Sequence, residues 1–191
     1  LRNVCLGYLT EIDDPETRAL AWRQFEQADN MTDSLAAMAA LAQIDCEERS
    51  RALERFYGRW KDEALVLDKW LAVQAGSRLP GTLAEVKRPM HHPVFDMKNP
   101  NKVRALISTF CHGNHLHFHA ADGSGYRFCA DAVIALDALN PQVAARLSRA
   151  FDRWKKFDAG RQRHARAELE RIRAAASLSK DTLEVVGRAL A

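Results

Sequence analysis

Asn99-Pro-Asn-Lys-Val-Arg-Ala-Leu-Ile-Ser-Thr-Phe110 returns, 41 residues further on, as Asn140-Pro-Gln-Val-Ala-Ala-Arg-Leu-Ser-Arg-Ala-Phe151. Asn, Pro, Leu and Phe occupy matching places in the two copies. Each copy reads as a helix start. Asn accepts from free backbone N–H groups, and Pro at the first helical position has no N–H to leave unpaired. Leu106 and Phe110 lie one turn apart and mark an apolar stripe, as do Leu147 and Phe151. A period of this length, with a helix pair in each copy, is that of the HEAT and armadillo repeats. The expected fold is all-α, a HEAT/armadillo-like α-solenoid of antiparallel helix pairs.

The rest of the chain reads as helix after helix with short connections. Asp14-Pro15-Glu16 combines an N-cap, a proline at the first position and an acid near the positive end of the helix dipole. That helix is expected to reach Gln27. Asn30 or Thr32 caps an Ala-rich helix through Leu41, and helices are expected over 47–60 and 62–75. Gly76-Ser77 and Leu79-Pro80-Gly81 interrupt the pattern, and Thr82 opens a short helix to Pro89. Residues 90–98 and 112–125 read as loops on either side of the helix from Asn99 to near Cys111. Further helices are expected over 126–139, from Asn140 to about Phe157, and over 161–175. Ser179 caps a last one carrying Leu183, Val186 and Leu190.

Composition narrows the function. Ala, Leu, Arg and Glu dominate the 191 residues, and β-branched residues are sparse. The chain starts at Leu1 rather than Met, as expected of a fragment or processed product. No apolar run reaches membrane-spanning length, so no membrane partner is expected. The four cysteines (Cys5, Cys46, Cys111, Cys129) form no Cys-x-x-Cys pair, which points to a reducing, cytoplasmic setting. Charge is uneven: residues 1–50 carry roughly −6 and residues 141–191 roughly +6. The Arg-rich end is interrupted by acids and has no aromatic platform, so it reads as solvated helix surface and not as a nucleic-acid interface.

Three stretches could hold chemistry. Cys111, His112, His115, His117 and His119 are zinc-ligand types, but their spacing matches no structural zinc pattern. They read as a loop with one or two buried, hydrogen-bonded histidines. Asp122-Gly-Ser-Gly125 lacks the lysine of a phosphate loop and reads as a turn. Asn101 with Arg104, and Gln142 with Arg146, follow the two Asn-Pro starts. On one face of stacked repeats, such arginines and amides suit the carboxylate and carbonyl groups of a peptide; ordinary capping and surface charge would explain them equally well.

Four runs occur together in order: Trp60-Lys-Asp-Glu-Ala-Leu-Val-Leu-Asp-Lys-Trp70, Asn99-Pro-Asn-Lys-Val-Arg104, His119 through Tyr126, and Asn140-Pro-Gln-Val-Ala-Ala-Arg-Leu147. In these the chain resembles the C-terminal helical domain of bacterial aminopeptidase N, a family of thermolysin-like zinc peptidases. The resemblance is clearest from about Phe56 to Ala191. It implies that residues 1–191 form a single C-terminal α-solenoid domain of a larger enzyme. Such an enzyme removes N-terminal amino acids from peptides with broad specificity (the alanyl aminopeptidase type). It holds its zinc through His-Glu-x-x-His and a downstream Glu, and binds the free amine through Gly-x-Met-Glu-Asn. Neither motif occurs here, and no Glu follows any His. Catalytic residues and zinc are thus expected in an absent domain of the same polypeptide, with no metal site in this chain. The resemblance further implies that this domain covers a chamber over the active site, and that Arg104, Gln142 and Arg146 line it and contact the peptide. The whole enzyme is expected to be a monomer, and the fragment alone inactive. The rival expectation is a freestanding helical-repeat scaffold that binds a protein partner.

Overall fold

The computed structural model describes residues 1–191, which divide into two compact units, Leu1–Thr82 and Leu83–Ala191. No strand forms.

The first unit contains α1 (Arg2–Leu9), α2 (Pro15–Gln27), α3 (Met31–Leu41), α4 (Glu47–Trp60) and α5 (Ala64–Ala75). Asp14 caps α2 as its sequence requires. Its carboxylate accepts from Thr17 N at 2.7 Å, and Asp14 N donates to Thr17 Oγ1 at 3.3 Å. Asn30 rather than Thr32 caps α3, accepting from Asp33 N at 2.9 Å. Ala21, Ala37 and Ala40 are buried between Phe25, Met38, Leu41 and Phe56. Small side chains on α3 let α2 pack tightly along it, and the larger ones fill the space left at the ends. Burying each large side chain contributes about 1.5–3 kcal/mol. On α5, Trp70 Nε1 donates to Leu53 O of α4 at 3.0 Å, so the indole packs with its polar edge paired.

The second unit follows from within α6 (Thr82–Lys87). Its members are α7 (Pro100–Val103), which continues as a π-wound segment Arg104–Gly113, then α8 (His115–Phe118), α9 (Ser124–Asp137), α10 (Pro141–Ser148), α11 (Ala159–Arg173) and α12 (Lys180–Leu190). Helix α9 is the centre of this unit. It packs on α8, the π segment, α10 and α11, while α10 and α11 also pack on α12. Tyr126, Phe128, Cys129, Val133 and Leu136 of α9 are all buried. Gly125 lets α9 start hard against α8, because a Cβ there would lie 2.3 Å from Phe118 O. Gly123, just before it, sits at φ +70°, a conformation that other residues adopt at a cost.

The other end of α9 is pinned by a buried carboxylate. Asp137 accepts from Ser179 N, Ser179 Oγ and Thr182 Oγ1, each at 2.6 Å. Burial alone would raise its pKa, but these bonds outweigh that and hold the carboxyl below its ordinary value. The same contacts fix where α12 begins.

Three expectations shift. Residues 2–9 form a helix that no capping side chain announced. The expected loop over 112–125 contains α8, whose N-cap Asn114 accepts from His117 N at 3.3 Å. The helix from Asn140 ends at Ser148 and not near Phe157. Arg149–Phe151 and Trp154–Lys156 tighten into 3-10 turns, and Trp154 Nε1 donates to Ala189 O at 2.9 Å. Satisfying that indole near α12 requires the chain to leave the helical path.

Candidate functional site

The two Asn-Pro copies carry Arg104, Gln142 and Arg146, the residues for which the sequence raised a peptide-contact role. Asn99 Oδ1 accepts from Asn101 N at 3.0 Å, which sets the first turn of α7. Arg104 follows at the start of the π segment, exposed, with Nη1 donating to Asn101 Oδ1 at 3.1 Å. In the second copy Asn140 Oδ1 accepts from Val143 N at 3.2 Å. Gln142 and Arg146 stand four residues apart on α10, both exposed, with no hydrogen bond or ion pair on either side chain. The apolar half of the copy is fully used: Leu106, Phe110, Leu147 and Phe151 are all buried. Helix α9 packs against both the π segment and α10, so the copies flank a shared helix. Arg104 and Arg146 are not joined in one hydrogen-bonded group; each offers its charge to solvent from its own copy.

The π winding is itself a local departure. Over Arg104–Gly113 the backbone is wound more loosely than in an α-helix, and Thr109 Oγ1 donates to Arg104 O, five residues back, at 3.2 Å. Such winding is uncommon and is frequent at functional sites.

A cleft of about 570 Å³ opens where the two copies end. The π segment, α8 and the residue that ends it supply Cys111, His112, His115 and His119; the run after α10 supplies Arg149, Asp152, Arg153, Lys156 and Phe157. The sequence showed the histidines and the basic run as separate features, and the fold brings them together. The 41-residue offset was the signal that could have joined them, since it maps His112 onto Arg153 and His115 onto Lys156.

His119 is the best-held group of the cleft. Its Nδ1 shares a hydrogen bond with Tyr126 Oη at 2.8 Å, and its ring stacks on Phe157 with centroids 3.8 Å apart. Arg161 Nε donates to its carbonyl at 2.6 Å. Burial, then the nearby His115 and Arg161, push the His119 pKa down to about 4, so the ring is neutral at pH 7. Burial pushes Tyr126 up to about 12, so its phenol stays protonated. Phe118 and Phe151 close the wall behind Tyr126, with ring centroids 5.2 and 5.8 Å from its own. At the floor, burial and the adjacent Cys129 raise the Cys111 thiol well above its ordinary range.

No three His, Cys, Asp or Glu side chains are grouped so as to hold a metal ion. The residues of this chain therefore do not fit the zinc site that the resemblance implies for the whole enzyme. No helix is long and apolar enough to cross a membrane.

Paired helices around a central helix, with an internal copy at armadillo spacing, define an armadillo-type helical repeat. Residues 1–191 match the family described as a domain of unknown function (DUF3458_C) with ARM repeats, and the chain belongs to that family. It is 40% identical over its full length to aminopeptidase N of Escherichia coli, and 40% identical to aminopeptidase N of Caulobacter vibrioides. Aminopeptidase N of Haemophilus influenzae is 39% identical. The chain spans 22% of the length of each of these curated relatives. Among solved structures, aminopeptidase A of Legionella pneumophila, determined in complex with aspartic acid, matches with a TM-score of 0.92 and 38% identity. That match covers 100% of this chain and 22% of the other. The resemblance to bacterial aminopeptidase N is thus borne out, as is the all-α, armadillo-like fold.

Proposed function

We propose that this chain is the C-terminal helical domain of a cytoplasmic zinc aminopeptidase of broad specificity, of the alanyl type. In this reading it covers the active-site chamber and contacts the peptide beyond the cleaved bond. The observation that carries it is the similarity, over the entire chain, to aminopeptidase N from three bacteria. Because the chain spans only part of those relatives, the catalytic zinc and its ligands belong to another domain of the same polypeptide. The four free thiols agree with a reducing compartment.

Arg104, Gln142 and Arg146 are the residues assigned to the peptide. All three are exposed, and Gln142 and Arg146 have no competing partner. An exposed guanidinium free of a carboxylate can pair with the peptide's C-terminal carboxylate, and a free amide can bond its carbonyls. Neither interaction touches the bond being cleaved, so both act on substrate binding and not on the chemical step.

The test is steady-state kinetics of the complete enzyme carrying Arg104→Ala or Arg146→Ala. KM for peptides is expected to rise about tenfold with kcat little changed, the pattern of lost uniform binding. An unchanged KM in both variants would remove these residues from the substrate path. The purified chain 1–191 alone is expected not to hydrolyse an amino-acid anilide, and zinc-dependent hydrolysis by it would overturn the division of labour.

A further inference from the structure

We infer that the cleft between the ends of the two copies is a binding site for a small, multiply charged anion, a phosphoanion or a polycarboxylate. The inference rests on shape, charge and unused donors, and does not depend on the peptidase reading.

The cleft holds about 570 Å³, enough for a small polyanion, and its walls come from separate stretches of chain. Arg149, Arg153 and Lys156 are permanent cations, and Asp152 is the only carboxylate facing them. Asp152 is engaged by Arg149 Nε at 3.3 Å. Arg153 and Lys156 make no ion pair or hydrogen bond through their side chains. With the one carboxylate taken up by Arg149, the charges of Arg153 and Lys156 are left without a counter-ion in the concavity, and an anion relieves their repulsion. The floor supplies no negative charge, because the buried Cys111 is a neutral thiol.

The histidines complete the site. The His115 and His119 rings lie parallel, with centroids 5.9 Å apart. His119 is fixed in place by Tyr126, Phe157 and Arg161. A ring held this way has little orientational freedom left to lose, which lowers the ordering cost of binding. His112 faces Asp152, Arg149 and His115, and His119 faces His115 and Arg161. Around His112 the Arg149 guanidinium meets one carboxylate, Asp152, and around His119 the Arg161 guanidinium meets none. The neighbouring cleft of about 310 Å³ at Val185 and Arg188 is a weaker choice, since Arg188 is already paired with Glu184 at 2.7 Å.

Titration calorimetry of the full protein with inorganic pyrophosphate and, separately, with citrate tests the site at low and high salt. Saturable binding is expected for one or both probes, weakening as salt rises. Binding of pyrophosphate alone assigns a phosphoanion, and binding of citrate alone a polycarboxylate; either supports the site. The double variant Arg153→Gln/Lys156→Gln is expected to weaken binding at least about tenfold. Lys155→Gln is the control, because the Lys155 ammonium sits over the Trp154 ring and not in this cleft. In NMR titrations the His112 and His119 imidazoles are expected to titrate at higher pH with the anion bound, and not in the double variant. Absence of binding by either probe, or undiminished binding by the double variant with native circular dichroism, overturns the inference.

Discussion

The two Asn-Pro copies begin alike and finish differently. Both have an asparagine cap, a proline at the first position, and a buried Leu and Phe one turn apart. Yet the first loosens into a π-wound segment over Arg104–Gly113, while the second tightens into 3-10 turns after Ser148. The difference teaches where each instruction resides. A helix start is satisfied by side chains within a few residues, so it can be written locally. The winding of its far end is set by what must be reached there. The first copy must deliver Phe118 against Gly125 and Tyr126, and the second must place Trp154 Nε1 on Ala189 O.

Replacing the paired phenylalanines probes the shared part of the copies and has the largest expected effect. Phe110→Ala and Phe151→Ala should each destabilise the chain by about 3–5 kcal/mol, since both rings are fully buried. Urea unfolding measures this, and a loss below about 1 kcal/mol in only one of them would show that the copies are not equivalent in the core. Next comes the divergent end. Trp154→Phe keeps the ring but removes the indole donor to Ala189 O, at an expected cost of about 1–2 kcal/mol. Hydrogen exchange should then accelerate over 149–156 and not over 104–113. The smallest effect belongs to the starts: Asn99→Ala and Asn140→Ala should each cost about 1 kcal/mol by the loss of one cap bond. Unequal costs there would place the divergence at the first turn and not at the last.

Much of the fold was legible for this local reason. Asp14, Asn30, Asn99, Asn140 and Ser179 all accept the backbone bonds that their positions predict. Helix α4 matches its expected span, with Glu47 and Glu48 in its first turn and Arg59 in its last, charges that suit the two ends of the helix dipole. Helix α1 was missed because Leu1 caps nothing with its side chain. Helix α8 was missed because a run of histidines and glycines resembles a loop, and only the bond from His117 N to Asn114 Oδ1 identifies its start. Arg104, Gln142 and Arg146 could be singled out from their motif, and the structure presents all three at the surface. The cleft could be reached from the sequence only through the 41-residue offset, because its halves are some 40 residues apart and meet only when the two copies are laid end beside end.

The loosely wound segment after Arg104 also sets an angular phase. Each residue in a helix bonded five residues back turns through a smaller angle than one bonded four back. Ten residues of such winding rotate whatever follows, relative to the exposed Arg104, by an amount that an ordinary helix would not produce. The segment therefore acts as a fixed gear between two ends of one rod, one carrying the guanidinium and the other carrying Cys111 and His112. Deleting a single residue within it would leave composition and charge almost untouched while turning the two ends out of register.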